Sequence, residues 1–569
     1  MLYCTHYNEL LVLEEEMEGN FNEDKLNEIL SQIFGRFHRD NHIRKKGSVG
    51  GFLKGLFITY LIMAIVLFIE GKLVFDFTLS AAFIVIPFAI VAIAYGILNS
   101  MKTLRSLGVI LLLLFIAANI VFSPIVSYKK HRNLIGTVEE VEFSEEIEPI
   151  DLSQLPTIDK ELANKLADKK LGEIPSLGSQ VTIGELHLQS INNELYYVAP
   201  LEHSSFIKWI TNRGGTSGYI KVSATNQNDV QLVTELNGEP LKIKYLDSSY
   251  ILSYLRRAAY FRDMGAGHTD FTFEIDDEGR PYWVITRYDT AVGLSERKAI
   301  GTLIMDAQTG ESNVYSLEDT PTWVDIIQPA TFIKNYVDKW GELVHGVFNF
   351  NDKDKLKSTD GMNLIYNNGE CYYYTGITSV GNDEGLVGFT LTNTRSGKTT
   401  IYKTAGAIES ASMKSAEGQV QQYGYSATFP YLINIQGEPT YFTTLKDSSG
   451  LVKQYALVDV KNYNTVGVGD TVQAALNKYV DVLSNNNISL DGSSAKETIE
   501  GEIERIGLVV KDGTSIYDIK LKDQENIFSI STETIREAAL LREGDRVSVT
   551  YINSKANKYI IASDIKAIN

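Results

Sequence analysis

Apolar residues are concentrated in one block near the start of the chain. Three stretches, 52–69, 79–98 and 107–126, are almost continuously apolar, and Lys54 is the one charged side chain among them. A membrane-spanning helix needs about 20 mostly apolar residues. The pattern therefore predicts three transmembrane helices within residues 52–127. A buried core helix is the alternative for any one stretch, but three in succession favour the membrane.

Basic residues predict the orientation of these helices. Lys102 and Arg105 stand between the second and third stretches, and a larger cluster precedes the first. The positive-inside rule then places the N-terminal segment 1–51 in the cytoplasm and the region after the third helix on the extracytoplasmic side. Lys129, Lys130 and Arg132 follow the third stretch directly and favour the opposite side, but the first cluster is larger. Its members are Arg36, Arg39, Arg44, Lys45 and Lys46.

A recurring unit follows residue 150. Each copy has a helical stretch, then a strand rich in Tyr or Trp, then a second strand that begins near a glycine. The copies fall in residues 151–240, 241–325, 326–404 and 405–484. One helix over a short hairpin buries little surface, so stacked copies are expected to share their cores. Chance similarity among Tyr-rich hairpins is the alternative. The four helices are predicted at residues 158–167, 249–261, 329–343 and 409–422.

The second copy resembles a known family. Residues 301–311, Gly-Thr-Leu-Ile-Met-Asp-Ala-Gln-Thr-Gly-Glu, look like the closing hairpin of PepSY domains, and Ala163 and Ala167 of the first copy have a similar helical spacing. The resemblance is best over residues 246–317, weaker over 158–234, and only in outline beyond. PepSY-like domains occur mostly in bacterial envelope proteins and protease propeptides. The resemblance implies a module that binds or restrains a partner, and it names no ligand.

The C-terminal residues 497–569 have a compact β pattern. Five short alternating strands and one predicted helix, 532–541, resemble a small OB-type barrel. The polar stretch 485–494 before them is predicted to be a linker. Such barrels often bind nucleic acid or sugar. Here no stripe of aromatic and basic residues is present, so a protein-contact or structural role is favoured.

Charge and cysteine content narrow the function further. The formal net charge is -18, which argues against a nucleic-acid partner because phosphate binding needs concentrated Lys and Arg. Cys4 and Cys371 lie on opposite sides of the apolar block, so no internal disulfide is expected. The first 35 residues lack the apolar segment of a cleavable signal peptide.

The sharpest candidate for catalysis is the glycine-rich segment 264–270. Its His268 and Asp270 would suit an exposed catalytic turn. A flexible loop between a helix and a strand is the alternative, and it is favoured because no phosphate-binding loop and no zinc motif accompanies the segment.

Three other segments carry candidate chemistry, and each has a simpler interpretation. Residues 276–279, Asp-Asp-Glu-Gly, would suit calcium or an acidic hairpin turn, and the turn is favoured. Residues 371–374, Cys-Tyr-Tyr-Tyr, are predicted to form a half-buried strand rather than a nucleophile site. The third segment is a polar loop with Asp352, Asp354 and Asp360. The sequence therefore predicts no catalytic residue, no cofactor and no metal ligand.

The predicted fold class is a membrane-anchored α+β protein. It has three transmembrane helices, tandem helix-plus-antiparallel-hairpin repeats of PepSY-like type, and a small C-terminal β-barrel. The predicted function is a non-enzymatic binding or regulatory module of the cell envelope. Its partners would be the lipid bilayer and a protein or peptide, and not nucleic acid. The first alternative is a self-associating structural subunit of a secretion, conjugation or viral-host envelope complex. The second is an envelope hydrolase centred on His268.

Overall fold

The structure is a computed structural model that describes most of the chain. Residues 486–494 of the predicted linker, most of the segment 1–51, and the basic cluster within that segment lie outside the described residues, whereas residue 485 ends a helix. The described ranges are 48–70, 77–142, 155–293, 296–367, 369–381, 385–435, 438–485, 496–511, 514–524, 526–531, 535–552 and 559–568.

The described residues divide into two compact units. The first falls within residues 1–66 and 81–116, and the second within residues 67–80 and 117–569. Most of three apolar helices makes up the first unit: α1 (Val49–Glu70), α2 (Phe77–Leu98) and α3 (Lys102–Phe122). The next helix, α4 (Pro124–Arg132), belongs to the second unit.

The helices of the first unit pack through small residues. Ala89 and Ala92 of α2 are fully buried, and a Cβ on Gly108 of α3 would lie 2.7 Å from the Ala89 carbonyl oxygen. Large apolar side chains, such as Phe57 and Leu114, face outward instead. Small residues inside and large apolar residues outside are typical of helices that pack within lipid.

The predicted fold class is wrong. Among the described residues, two helices are long and apolar enough to cross a membrane, at Val49–Leu67 and Lys102–Phe122. The described apolar part of α2, Ala82–Leu98, falls short of that length. The remainder is mostly β-structure, with four sheets and a closed barrel, rather than the predicted balance of helices and hairpins.

The first sheet has the order β2-β4-β5-β6, with β3 also paired to β4. Helix α5 packs on it through Leu162, Ala163 and Ala167. Asp159 caps this helix, because its carboxylate accepts the Leu162 N–H at 3.1 Å. Its elements are α5 (Lys160–Gly172), α6 (Pro175–Gly178), β2 (Val181–Ile183), β3 (His187–Ile191), β4 (Glu194–His203), α7 (Phe206–Thr211), β5 (Tyr219–Ser223) and β6 (Val230–Val233), followed by the small pair β7 (Glu235–Leu236) and β8 (Glu239–Pro240).

The second sheet has the order β12-β11-β10-β9 and shares a core with the first. Phe273 is at the centre of that core, 6.0 Å from the Tyr219 ring and 5.4 Å from the Trp283 ring. In the β11–β12 turn, Asp306 accepts the backbone N–H groups of Gln308 and Thr309, which explains the Asp-Ala-Gln-Thr-Gly sequence there. The elements are α8 (Leu255–Arg262), β9 (Gly267–Ile275), β10 (Pro281–Val292), β11 (Glu296–Asp306) and β12 (Ser312–Ser316).

The third sheet has the order β1-β17-β16-β15-β13, with β14 also paired to β15. Strand β1 joins it in parallel with β17, so the chain that follows α4 is built into the sheet. Its elements are β1 (Val138–Glu142), α9 (Ala330–Glu342), β13 (Leu356–Ser358), β14 (Asn363–Asn367), β15 (Glu370–Ser379), β16 (Gly385–Asn393) and β17 (Thr399–Ala407).

The fourth sheet and the barrel complete the second unit. The fourth sheet has the order β18-β20-β21-β22, with β19 paired to β20, and the barrel closes as β23-β24-β25-β27-β26. The elements are α10 (Glu409–Gln419), β18 (Ser426–Ala427), β19 (Tyr431–Ile435), β20 (Glu438–Lys446), β21 (Val452–Asp459), β22 (Val466–Gly469), α11 (Val472–Asn485), β23 (Lys496–Lys511), β24 (Thr514–Leu521), β25 (Ile527–Ser531), β26 (Arg546–Ile552) and β27 (Tyr559–Ala567).

The last turn of α3 is packed against the β10–β11 turn of the second sheet. Ser127 Oγ donates to the Val121 carbonyl at 2.6 Å, and His131 Nε2 lies 2.9 Å from the Phe122 carbonyl, so α4 folds back beside the end of α3. Gly293 accommodates the Phe122 ring. It has φ +55°, and a Cβ there would lie 2.0 Å from Phe122 Cγ.

A buried polar cluster joins α4 to strand β11 of the second sheet and to helix α9. His131 Nδ1 lies 3.2 Å from the Glu296 carboxylate, which also pairs with Lys339 and accepts the Asn335 amide N–H at 2.9 Å. Burial raises the pKa of Glu296, but the hydrogen bonds from Lys339 and Asn335 outweigh it and hold that pKa below its usual range. We call Phe122, Gly293 and this cluster the span-end junction.

Candidate functional site

An exposed apolar patch lies where the first and second sheets meet. Helix α7 supplies part of it, and its first turn is capped by Ser205 Oγ, which accepts the Lys208 N–H at 3.4 Å. The capped helix buries Trp209 and turns its other apolar residues outward. The exposed side chains of this apolar patch range from 39% to 72% exposed, and they are Phe206, Ile207, Ile210, Tyr250, Ile251 and Leu252.

The backbone at Ile251 is strained. Its φ of +56° is in the left-handed region, where a β-branched residue is a genuine outlier. Arg257 holds this turn, because its Nη1 donates to the Ile251 carbonyl at 2.6 Å. Strain of this kind costs on the order of 1–3 kcal/mol and is concentrated at functional sites. The turn therefore displays Ile251 and Leu252 at a cost in stability.

Three aromatic rings form the centre of the apolar patch. The Phe206 and Tyr250 ring centroids are 5.0 Å apart and nearly perpendicular, and the Tyr250 and Trp209 centroids are 5.2 Å apart. Such edge-to-face pairs prefer one geometry and lose little entropy when a partner binds. The rings thus form a preorganised apolar contact surface.

Charged groups border the apolar patch. Arg213 is exposed, and its guanidinium carbon lies 5.5 Å from the Trp209 ring centroid. Asp247 pairs with Arg256 at 3.0 Å. Burial, and then the nearby Asp247, raise the pKa of Glu202 to about 7. A carboxyl with a pKa of about 7 is half neutral at pH 7, so Glu202 adds less negative charge to this rim than an ordinary carboxylate does.

The structure places His268 in strand β9 rather than in an exposed turn. Its Nε2 lies 3.3 Å from Asp263, which also pairs with Arg287. Burial lowers the pKa of His268, although Asp263 opposes this, so the imidazole is neutral at pH 7. Its side chain is 7% exposed. The sequence had not indicated the Asp263 partner. Because the pair is buried and Asp263 is engaged by Arg287, the geometry gives a hydrolase centred on His268 no support.

Residues 276–279 form the β9–β10 turn. Asp276 accepts the backbone N–H groups of Glu278 at 3.1 Å and Arg280 at 2.8 Å, which is an Asx turn. Asp270 lies at a bulge in the β9–β10 ladder, and burial raises its pKa. This carboxylate is separate from the Asp263 pair in the hydrogen-bond network.

The predicted loop aspartates do not converge. Asp352 pairs with Lys355 at 2.6 Å and Asp354 pairs with His345 at 2.8 Å. Cys371 lies in β15, where burial raises the pKa of its thiol well above the usual range. Among the described residues, no group of three or more His, Cys, Asp or Glu side chains is arranged to hold a metal ion.

Sequence reasoning missed a buried acidic pair at the meeting of the first three sheets. Burial, and then Asp325, raise the pKa of Glu274 to about 8, and burial raises that of Asp325 to about 6. Glu274 Oε2 has no hydrogen-bond partner among the described residues, whereas Asp325 accepts the Ser190 N–H at 2.6 Å. Next to Glu274, the Gln189 side chain hydrogen-bonds the backbone carbonyl and N–H of Ile275, which joins the first sheet to the second.

The apolar patch was also missed, because its two halves are separated by about 40 residues. The sequence feature that could have revealed the apolar patch is a short apolar run, Phe-Ile-Lys-Trp-Ile at residues 206–210, within a polar segment. The sequence predicts a helix over residues 249–261, which includes Tyr250. Helix α8 instead begins at Leu255, because the left-handed Ile251 interrupts the helical backbone.

The comparisons with known proteins reveal no close relative. No family model and no curated protein matches the sequence. Among solved structures, the GH32 beta-fructofuranosidase BmSUC1 of Bombyx mori, in complex with sucrose, is similar at a TM-score of 0.17 and 8% identity over 69% of this chain and 70% of that chain. A levansucrase variant of B. megaterium is similar at 0.17 and 9% over 76% and 96%. At these TM-scores neither likeness carries an argument about fold or function.

Proposed function

We propose that the protein is a non-enzymatic binding module of the cell envelope, held at the membrane, whose apolar patch docks a protein or peptide partner. The observation that carries the proposal is the aromatic cluster of Phe206, Trp209 and Tyr250 beside the strained Ile251. A contiguous exposed apolar surface of this kind usually marks an interaction site. Aromatic anchors also supply most of the binding energy at protein interfaces.

The chemistry of the rim defines the partner more narrowly. Arg213 extends over the edge of the apolar patch, and Lys208 lies within α7 itself. We propose that the partner presents a short apolar segment flanked by acidic residues. Aliphatic or aromatic side chains would cover Phe206 and Leu252, and carboxylates would meet Arg213. The resemblance of residues 246–317 to PepSY domains supports a role in which such a segment is held rather than cleaved.

A site-specific photo-crosslinker tests the proposal. With p-benzoyl-phenylalanine in place of Leu252, the full-length chain in its native membrane is expected to crosslink to one protein species. Phe206→Ser in the same chain should abolish that product, because Phe206 is part of the same aromatic cluster. Tyr463→Ser is the matched control, since Tyr463 is as exposed as Phe206, at 46%, and lies elsewhere. A crosslink that survives Phe206→Ser would refute the proposal.

The alternative function is a structural subunit that self-associates. It is favoured by strand β23, where Leu508, Val509 and Val510 are consecutive and 48% to 65% exposed. An exposed apolar strand of this kind pairs readily with another copy. Native mass spectrometry of the detergent-solubilised chain would show oligomers under this alternative, and monomer alone would argue against it.

The side of the membrane is a further part of the proposal. Among the described residues, two helices are long and apolar enough to cross a membrane. We propose an extracytoplasmic location for the region after α3, and labelling with a reagent that cannot cross the membrane tests it. Reaction of a Leu540→Cys variant with an impermeant maleimide on intact cells supports the proposal, and reaction only after lysis contradicts it.

A further inference from the structure

Two phenylalanines are exposed in the loop between α9 and β13. Phe348 is 69% exposed and Phe350 is 83% exposed, and their ring centroids are 6.0 Å apart. These are among the most exposed large apolar side chains of the described residues. We call residues 345–350 the aromatic loop. Its sequence is His-Gly-Val-Phe-Asn-Phe.

The backbone of the aromatic loop is ordered by its own hydrogen bonds. The Gly346 N–H donates to the Leu343 carbonyl at 3.0 Å, and the Asn349 side-chain amide donates to the Lys353 carbonyl at 2.8 Å. Asn349 is buried between the two phenylalanines. Because the inward residue is fixed, Phe348 and Phe350 are held outward before anything binds, which lowers the entropic cost of binding.

The aromatic loop lies beside the end of α3. Ser127 Oγ donates to the Val121 carbonyl in the last turn of α3, so Ser127 is level with that turn. Tyr128 is the next residue, and a Cβ on Gly346 would lie 3.6 Å from its ring. Gly346, with φ +80°, brings the loop backbone against that ring. The aromatic loop is therefore held against Tyr128, a few residues beyond the C-terminal end of α3.

The charges around the aromatic loop favour an anionic surface. Lys129 and Lys130 are exposed on α4, and Lys353 is exposed in the loop that follows. The nearby acidic groups are paired, Asp352 with Lys355 at 2.6 Å and Asp354 with His345 at 2.8 Å. The acidic residue at the C-terminal end of α9 is Glu342. Exposed lysines beside aromatic side chains are typical of segments that contact anionic lipid headgroups.

We infer that the aromatic loop inserts Phe348 and Phe350 into the headgroup region of an anionic lipid bilayer, next to the point where α3 leaves it. Interfacial side chains of this kind reach roughly 5–10 Å into the boundary between headgroups and acyl chains. This contact is separate from the apolar patch and does not depend on the partner proposed for it. It rests on α3 crossing the membrane.

A fluorescent label at the loop tests the inference. Cys4→Ser is combined with Phe350→Cys, labelled with the environment-sensitive dye NBD, in the full-length chain reconstituted one copy per nanodisc. The nanodiscs contain phosphatidylcholine and phosphatidylglycerol, with or without nitroxide-labelled lipid. We expect blue-shifted emission and at least about twofold stronger nitroxide quenching than for the same dye at Leu252→Cys, since only the loop lies in the headgroups. Phe348→Cys gives an independent second position.

Each outcome decides the inference. Strong quenching at position 350 or 348, with weak quenching at position 252, supports it. Water-like emission at both loop positions, with quenching equal to that at position 252, would overturn it. Blue-shifted emission without nitroxide quenching would also overturn it, because protein rather than lipid would then cover the phenylalanines. Leu540→Cys in the barrel, where Leu540 is 78% exposed, gives the water-exposed reference.

Discussion

The apolar patch and the aromatic loop expose similar side chains in different surroundings. In the apolar patch, three rings contact one another and the adjacent turn is strained at Ile251. In the aromatic loop, the two rings contact each other and the backbone is relaxed around an inward Asn349. The loop also abuts Tyr128, beside the end of an apolar helix, whereas the apolar patch lies at the meeting of two soluble sheets.

This difference teaches that exposure alone does not identify a partner. A lipid surface accepts any apolar side chain at the right depth, so the aromatic loop needs position more than shape. A protein partner needs a fixed shape, and the apolar patch maintains one at a cost in stability. The two regions should therefore respond differently to changes in the polar groups beneath them.

The largest expected effect is a pH dependence that arises from Glu274, which is buried where the first three sheets meet. Burial, and then Asp325, raise the pKa of Glu274 to about 8, above its value in the unfolded chain. As the pH rises, the unfolded chain loses this proton first, so stability is present below about pH 4.5 and is lost through about pH 8. At about 1.4 kcal/mol per pH unit, the free energy of unfolding should fall by up to about 4 kcal/mol between pH 5 and pH 8.

The variant Glu274→Gln should remove most of that fall, because it cannot ionise. Thermal unfolding of the full-length chain in nanodiscs, followed from pH 5 to pH 8, measures it, and Glu239→Gln at an exposed position is the control. Crosslinking from position 252 should weaken with rising pH in the unmodified chain, while quenching at position 350 stays constant. An identical pH profile for Glu274→Gln and the unmodified chain would contradict the assignment.

Removal of Lys339 should destabilise the span-end junction. Lys339→Met leaves the buried Glu296 without its main partner, and breaking such a pair costs about 3 kcal/mol or more. Lys398→Met removes an exposed pair with Glu139 and should cost less than about 1 kcal/mol. Thermal melting of both variants measures the difference. Quenching at position 350 should fall in Lys339→Met, and crosslinking at position 252 should persist. Equal melting temperatures would refute this account of the span-end junction.

Gly293→Ala should also destabilise the span-end junction, but by less. Alanine at φ +55° is strained, and its methyl group would overlap the Phe122 ring. We expect a loss of about 2 kcal/mol. Gly214→Ala is the control, because nothing lies within 4 Å of a Cβ there and its φ is not positive. Hydrogen exchange of α4 should accelerate in Gly293→Ala alone. Unchanged exchange would show that the Phe122 contact does not order α4.

The smallest expected effect is a gain in stability. Ile251→Gly relieves the left-handed strain, and the free energy of unfolding should rise by up to about 1 kcal/mol. The same change removes an exposed apolar side chain, so crosslinking from position 252 should weaken. Ile207→Gly is the control: Ile207 lies in a helical backbone, so this substitution should lower the stability of the protein instead. A fall in the melting temperature of Ile251→Gly would show that the turn is not strained.

Local elements were predictable from the sequence where side-chain periodicity and caps agree. The predicted helix 329–343 coincides with α9 (Ala330–Glu342), since Pro329 starts it and its apolar residues fall on one face. The strand predicted at 371–374 lies within β15 (Glu370–Ser379). The helix predicted at 532–541 is, among its described residues, a 3₁₀ turn at Arg536–Leu540. Short segments of this type do not hold a helical stripe of sufficient length.

Features that depend on distant residues were not predictable. Strand β1 pairs with β17, more than 250 residues away, and no local pattern encodes that pairing. Residues 206–210 and 250–252 both resemble core segments in sequence, because apolar residues are usually buried. Their exposure is a property of the assembled sheets.

The most direct test of the account compares photo-crosslinking from two positions of the same full-length chain in its native membrane. With p-benzoyl-phenylalanine at Leu252, we predict a protein adduct that Phe206→Ser abolishes. With the same group at Phe350, we predict lipid adducts and no protein adduct. A protein adduct at position 350, or lipid adducts alone at position 252, would contradict the central claim that these two exposed surfaces meet different partners.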